Sequence, residues 1–306
     1  MTSSATLYTG RFAPSPSGPL HFGSLVAALA SYLDARSHQG RWLVRIDDID
    51  PPREQPGATD LILQALEQHG LKWDGEVLQQ SQRSEAYLAL LEQLQAGQLI
   101  YPCTCTRQDI KAMGGVYSGH CRHAPTGAEP CAWRLKLYDL PGALARLPDT
   151  VVFDDLLAGT QRQNLAQDVG DAIVRRKDGL FGYQLAVVAD DICQGITHVV
   201  RGADLLPVTA RQFRFFEILG AAPPHYAHVP VVSDTEGRKL SKQNHAPALN
   251  NRRAVENLWQ ALVFLRQNPP SELAGAPRDS LLDWAIAHWR REPLIHAPLT
   301  QRADLL

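Results

Sequence analysis

Tyr8-Thr9-Gly10-Arg11-Phe12-Ala13-Pro14-Ser15-Pro16-Ser17-Gly18-Pro19-Leu20-His21-Phe22-Gly23-Ser24 is the stretch that decides the fold. Tyr8 to Phe12 reads as a short strand. It runs into a Pro/Gly loop, since each proline removes a backbone donor and fixes φ, so neither strand nor helix can continue. Past His21 and Gly23 the pattern becomes helical: Leu25, Leu29, Tyr32 and Leu33 share a face over Ser24 to Ser37. A glycine-containing turn that opens a helix presents backbone N–H groups and the positive end of the helix dipole to a phosphate. Gly18 and Gly23 suit that turn because a Cβ would block close approach. His21 can donate to a phosphate oxygen, and Ser24 can add a weaker hydroxyl contact.

The same alternation continues outward. Trp42 to Ile46 is a predicted strand, Leu61, Ile62, Ala65 and Leu66 mark a helix, and Tyr87, Leu90, Leu91 and Leu94 mark another over Arg83 to Gln95. Strand, helix, strand, helix implies an α/β domain with a parallel sheet and helical crossovers. From Tyr101 to Pro130 cysteine, glycine, histidine and proline replace the periodic pattern, as in an irregular insertion. Strand-like runs return at Val151 to Phe153, Ala172 to Arg175, Gln184 to Val188 and His198 to Val200. Thr209 and Gln212 form a candidate capping box for a helix through Leu219. Val229 to Val232 reads as a buried strand leading into a loop, Gly237-Arg238-Lys239-Leu240-Ser241-Lys242-Gln243. Ala254, Leu258, Ala261, Leu262 and Leu265 mark a helical remainder.

With 306 residues and a formal net charge of −2, the chain fits one large domain or two modest ones and is no general polyanion binder. Nucleic-acid contact would need a local patch: Arg175-Arg176-Lys177, Arg211 with Arg214, or Arg252-Arg253, any one of which reads more readily as a solvated face. Met1 to Tyr8 carry neither the basic region nor the apolar core of a signal peptide, and no apolar run is long enough to span a bilayer. A cytoplasmic protein without a membrane partner is expected. Five cysteines, few and odd in number, argue against a disulfide framework. Cys103, Cys105 and Cys121 cluster as metal ligands do, with His120 or His123 the ordinary fourth partner on spacing. Three buried reduced cysteines are the alternative. Cys131 and Cys193 are expected to pack as small apolar residues.

Together, Pro14 to Ser24 and Gly237 to Gln243 resemble the "HIGH" and "KMSKS" signatures of class I aminoacyl-tRNA synthetases. Phe181-Gly182-Tyr183-Gln184-Leu185-Ala186 and Thr197-His198-Val199-Val200-Arg201-Gly202-Ala203-Asp204 narrow the resemblance to glutamyl-tRNA synthetases, over most of the chain to His245. The resemblance implies an α/β, Rossmann-like class I synthetase catalytic domain with a parallel sheet. It also implies an inserted zinc-containing acceptor-type subdomain and a short helical C-terminal region. The expected divisions are 1–100 and 196–245 for the two catalytic halves, 101–195 for the insertion and 246–306 for the helical end. Ser24 stands where that motif often has a second histidine.

The implied chemistry is adenylation of a carboxylate by ATP, with Mg²⁺ accompanying the nucleotide. His21, Lys239 and Lys242 would be catalytic. Gly18, His21, Gly23, Ser24 and Lys242 would bind ATP. Arg11, Ala13, Ser15, Asp47, Tyr183 and Arg201 would bind L-glutamate, the two arginines through charge-assisted bonds to carboxylates. The family has Glu where this chain has Asp47, for the substrate ammonium. One methylene shorter, Asp47 would make a longer contact or one through water. About sixty residues follow the lysine loop, too few for a large anticodon-binding domain.

The chain thereby resembles the truncated glutamyl-Q tRNA(Asp) synthetase branch of the family. That branch implies tRNA-independent glutamate activation and transfer to queuosine in the anticodon loop of tRNA(Asp). It also implies one structural Zn²⁺ on Cys103, Cys105, Tyr117 and Cys121. A monomer is expected. A minimal synthetase charging the tRNA 3′ end and a non-catalytic nucleotide- or amino-acid-binding paralogue are the alternatives.

Overall fold

The structure, a computed structural model, describes residues 7–123, 130–234, 239–240 and 247–302. Lys242 and its neighbours 241 and 243 lie outside the described residues. Strands β1 (Thr9–Phe12), β2 (Arg41–Ile46) and β3 (Leu78–Gln79) are parallel neighbours, with Thr9 opposite Arg41. Helices α1 (Phe22–Ser37), α2 (Ala58–Gln68) and α3 (Ser84–Ala96) connect or follow them. Next come β4 (Ile100–Cys103), the short α4 (Arg107–Ala112), β5 (Ala132–Leu135), β6 (Thr150–Asp155), β7 (Gly159–Asn164) and β8 (Ala172–Arg175). Then follow α5 (Tyr183–Cys193), β9 (His198–Gly202), α6 (Thr209–Ile218), β10 (His225–Val229) and β11 (Val231–Ser233). The C-terminal region holds α7 (Ala254–Phe264), α8 (Arg278–His288) and β12 (Thr300–Arg302).

β9, β10 and β6 run parallel side by side, and β7 closes that edge antiparallel to β6. Thr197 N–H donates to Thr9 O at 2.9 Å and Thr9 N–H to Thr197 Oγ1 at 2.9 Å, so the two parallel groups meet where β1 lies beside β9. α1 is apolar nearly all round because it is covered twice, by the sheet and by α7 and α8 of the C-terminal region. A second core joins α3, α5 and α6 through Tyr87, Leu185 and Phe215. A small third cluster holds Tyr101, Cys103, Tyr117 and Cys121. Among the described residues no helix is long and apolar enough to cross a membrane.

Most of the expected elements form, and four local readings change. Gln184 to Val188 is not a strand but the first half of α5; an apolar run of five residues does not distinguish the two by periodicity. Thr209 does not cap α6. Val208 occupies the N-cap without a side-chain bond, and the buried Thr209 hydroxyl donates to Leu205 O instead. Val229 to Val232 is broken by Pro230, which has no N–H for a ladder: β10 ends at Val229, and β11 pairs in parallel with β12. Cys193 is exposed at the end of α5, and Cys131 is half-buried. The segment 101–195 contributes to two sheets. β4, β5 and β8 form an antiparallel sheet, whereas β6 runs parallel to β10, with Asp155 opposite Tyr226.

Candidate active site

The carboxyl ends of β1 and β9 lie side by side, the place where open α/β sheets form their binding crevices. A cavity of about 430 Å³ opens there. From β1, the loop after it and the start of α1 it brings together Arg11, Ala13, Ser15, His21, Gly23 and Ser24. Tyr183, Arg201 and Lys239 reach it from later elements. Gly18 lines neither this cavity nor its neighbour; its φ of +131° turns the loop, which a side chain would strain.

His21 is the N-cap of α1, and its Nδ1 accepts the Ser24 N–H at 3.3 Å. In the neutral ring the proton then sits on Nε2, where it can be donated to an anion. A Cβ on Gly23 would come within 3.2 Å of the imidazole, so glycine lets the ring fold over the helix end. Lys239 lies beside β11, with Nζ 2.5 Å from Asp204 Oδ2.

Arg201 is only 5 % exposed. Its Nε donates to His228 Nε2 at 3.0 Å and its Nη2 to Thr209 Oγ1 at 2.9 Å. Its plane lies over Tyr226, 5.0 Å from the ring centroid. Nη1 is buried with no hydrogen-bond partner among the described residues. Burial lowers the pKa of both Arg201 and His228. The His228 ring is therefore neutral, and its Nδ1–H donates to Asp155 at 2.6 Å. Burial would raise the Asp155 carboxyl, but His228 together with the backbone N–H groups of Ala158 and Leu157 outweighs it and holds the pKa below the ordinary value. The result is a buried cation fixed at two nitrogens with a third donor left over, an arrangement that suits a carboxylate ligand.

Arg11 makes a two-point pair with Asp191 of α5, at 3.3 and 3.3 Å. Asp191 also accepts from Arg45 Nη1 at 2.6 Å, and Arg45 Nε donates to Asp47 at 2.8 Å. A buried row of alternating charge, Arg11, Asp191, Arg45 and Asp47, thus ties β1 and β2 to α5. Burial pushes Asp191 up, but Arg11 and Arg45 outweigh it, and the carboxyl sits below its ordinary value. For Asp47 burial wins over Arg45, and the pKa rises to about 6. Asp190, next to Asp191 on α5, accepts from Arg83, Tyr87 and Gln80 at 2.8, 2.7 and 2.9 Å.

Asp47 lines an adjoining cavity of about 630 Å³ and not the one that holds Arg201; the two cavities share Ser15, Ser17 and Tyr183. Sequence reasoning missed Asp191, Thr209, His228 and Asp155. Only the aspartate pair carried a signal: two carboxylates inside the apolar run Leu185 to Cys193 demand buried partners.

The three cysteines converge as their spacing predicts. All three Sγ atoms of Cys103, Cys105 and Cys121 lie within 4.8 Å of one another, the latter two at 3.5 Å. Tyr117 Oη is 3.5 Å from Cys103 Sγ and accepts the Cys121 N–H at 2.9 Å. Tetrahedral zinc with bonds of about 2.3 Å places sulfurs roughly 3.8 Å apart, so the group fits such an ion. His120 and His123 are exposed and do not belong to the group, which leaves Tyr117 as the nearer oxygen. Arg134 Nε donates to Cys103 Sγ at 3.2 Å, a cation suited to thiolate charge.

Residues 8–132 and 144–263 match the family described as tRNA synthetases class I (E and Q), catalytic domain. The chain is 50 % identical over 289 residues to a glutamyl-Q tRNA(Asp) synthetase of Pseudomonas aeruginosa, covering 94 % of each. It is 52 % identical over 300 residues to that of Thiobacillus denitrificans, covering 96 % of this chain and 97 % of the relative. In fold it is similar to the crystal structure of a glutamate tRNA ligase from Elizabethkingia meningosepticum in complex with its amino acid. There the TM-score is 0.77 at 24 % identity, over 98 % of this chain and 68 % of that one. The glutamate-tRNA synthetase of Elizabethkingia anophelis gives a TM-score of 0.78 at 24 % identity, over 98 % of this chain and 69 % of that one. By the family match and by both near-full-length relatives, this chain belongs to the class I tRNA synthetase family, in its glutamyl-Q tRNA(Asp) synthetase branch.

Proposed function

We propose that the protein activates L-glutamate with ATP in the absence of tRNA and then transfers it to queuosine in the anticodon loop of tRNA(Asp). The observation that carries the first step is one cavity holding both a helix N-terminus capped by His21 and the buried Arg201, one of whose nitrogens has no partner among the described residues. In that step a glutamate carboxylate oxygen attacks the α-phosphorus. The bond to the bridging oxygen breaks, and pyrophosphate leaves with the electron pair. His21 Nε2–H and the α1 N-terminus bind phosphate oxygens. Lys239, released from Asp204, and Lys242 close over the leaving group. Magnesium bound with ATP supplies further charge neutralisation to the leaving pyrophosphate.

Arg201 takes the substrate's side-chain carboxylate, and Arg11, held by Asp191, supplies the second cation. Ala13, Ser15 and Tyr183 orient the ligand across the cavity, and Asp47 serves the ammonium through water. In the second step an acceptor hydroxyl oxygen attacks the acyl carbon. An ester forms, the acyl–phosphate bond breaks, and AMP leaves, its phosphate taking the hydroxyl proton. Cys103, Cys105, Tyr117 and Cys121 hold one structural zinc, which orders a segment with only a small core of its own. The setting is the cytoplasm and the working unit a monomer.

ATP–pyrophosphate exchange without tRNA, across glutamate, aspartate and glutamine, tests the reading. Exchange with glutamate alone is expected, and its loss in Lys242→Ala with the fold intact. No exchange with any of the three overturns it. Nuclease mapping of the glutamylated tRNA is expected to place the label in the anticodon loop; label at the 3′ end would replace the acceptor with that of an ordinary glutamyl-tRNA synthetase.

A further inference from the structure

Arg11 and Arg201 line the same cavity, but the protein holds them in opposite ways. Arg11 faces the carboxylate of Asp191, which compensates much of its charge. The nitrogens of Arg201 are accounted for without a carboxylate. Nε reaches the His228 ring, Nη2 reaches the Thr209 hydroxyl, and Nη1 has no partner among the described residues.

Strand register builds this anchorage. β9, β10 and β6 are parallel neighbours, and Arg201 stands opposite His228. Asp155 ends β6 on the other side of β10. Its Oδ1 accepts the Leu157, Ala158 and His228 backbone N–H groups at 3.0, 2.8 and 3.3 Å, and its Oδ2 accepts from His228 Nδ1 at 2.6 Å. An ionised carboxylate only accepts, so it fixes the ring proton on Nδ1. Nε2 is then an acceptor, the form that can take the Arg201 Nε–H at 3.0 Å. A proton on Nε2 would set donor against donor, and an imidazolium would add a second cation beside the first. Burial favours the neutral ring. The imidazole is therefore also a spacer, through which a carboxylate orients Arg201 without touching it. Asp155, His228 and Thr209 do not line the cavity, so any effect on a ligand passes through Arg201.

We infer that Asp155, His228 and Thr209 are positioning residues that make the site select an acidic over an amide side chain, by holding Arg201 with no carboxylate in contact with its guanidinium. An ionised ligand carboxylate is then the counter-ion that the buried guanidinium lacks. A carboxamide brings no charge, and its NH₂ group sets donors against donors. The inference rests on the function proposed above and adds to it how glutamate is told from glutamine.

Asp155→Asn tests it. The amide oxygen can keep the three backbone N–H groups, but the NH₂ group then faces Nδ1 and drives the ring proton to Nε2, against Arg201. Affinities for glutamate and glutamine are measured by calorimetry, beside pyrophosphate exchange, in the unaltered protein, Asp155→Asn and His228→Gln. In Asp155→Asn glutamate is expected to bind about 10–100-fold more weakly, with glutamine little changed and the KM for ATP within about twofold. His228→Gln can donate to Asp155 and accept from Arg201 with one amide, and is expected to retain most of the preference for glutamate. No preference in the unaltered protein, an unchanged preference in Asp155→Asn, or equal losses for glutamate, glutamine and ATP overturns the inference. Nitrogen-15 NMR of the unaltered protein reads the tautomer whatever the stability of Asp155→Asn. A proton on Nδ1 and none on Nε2 of His228 is expected, and a proton on Nε2 overturns the inference. Absent exchange in the unaltered protein would count instead against the adenylation reading, while calorimetry and the ring tautomer still score this one.

Discussion

At the scale of single residues, the site depends on buried charges that neutralise one another. Asp191 faces both Arg11 and Arg45, and all three are almost wholly buried. Asp191→Asn leaves two buried guanidinium groups short of a counter-ion and is expected to cost about 3–5 kcal/mol, read by urea unfolding. Asp47 has the opposite electrostatics. Its folded pKa of about 6 lies above the model-peptide value of 3.8, so ionising it opposes folding. Its stabilising contribution is complete below pH 3.8 and is lost as the pH rises through about 6. Under the proposed function the effect on activity runs the other way, because only the carboxylate would attract the substrate ammonium. The kcat/KM for glutamate in pyrophosphate exchange should fall as pH drops below about 6, and Asp47→Asn should remove that limb along with much of the affinity. An acid limb retained in the variant would assign the titration to another group.

At the scale of elements, α5 is where packing and chemistry meet. It presents Tyr183 to both cavities and Asp191 to Arg11, and its entry is fixed by Gly182, whose N–H donates to Val174 O at 2.8 Å. A Cβ at Gly182 would stand 2.2 Å from Ile173 O, so backbone would have to move. Gly182→Ala is expected to destabilise by about 1–3 kcal/mol, seen as a lower Tm, and to reduce exchange as Tyr183 and Asp191 shift. The apolar stretch Gln184 to Val188 fits a strand as well as a helix. The carboxylates at its end, and the glycine that docks it on β8, disclose a helix only once the partner strand is known.

At the scale of the whole molecule, the C-terminal region braces the catalytic sheet. Arg291 donates twice to Asp34 of α1, at 2.7 and 2.7 Å, and Trp289 and Tyr8 donate to the same carboxylate. Burial pushes Asp34 up, but Arg291 outweighs it and holds the pKa below 3.8. That stabilisation is present above pH 3.8 and fades as the pH falls further. Tyr8 also stacks on His198 at 4.0 Å, and burial, then His225, pushes that imidazole down to about 4. Below pH 6.5 the unfolded chain takes up a proton that the folded one refuses, so Tm should decline between pH 6.5 and 4, and less steeply in His198→Phe. β12 pairs with β11, which leads to the lysine loop. Truncation after Ala297 should therefore raise the KM for ATP in exchange more than that for glutamate. The cysteine group gives a separate reading: about one zinc per chain is expected, with chelation lowering Tm.

The sequence by itself determined the parallel α/β architecture, the loop that opens α1 and the convergence of three cysteines. Each depends on short-range pattern: apolar periodicity, proline and glycine placement, or close spacing of ligands. It also named Arg11, His21 and Arg201 as candidates, and the fold brings the three to one cavity. Tertiary structure alone decided what those residues touch. Asp191 meets Arg11 across 180 positions, and Asp155 reaches Arg201 through His228 across 73. It also placed Asp47 on a different cavity from Arg201. Buried charges must find partners wherever the chain brings them, and that choice is made by the packing of β1, β2 and β9 against α5 and α6, which no local pattern encodes.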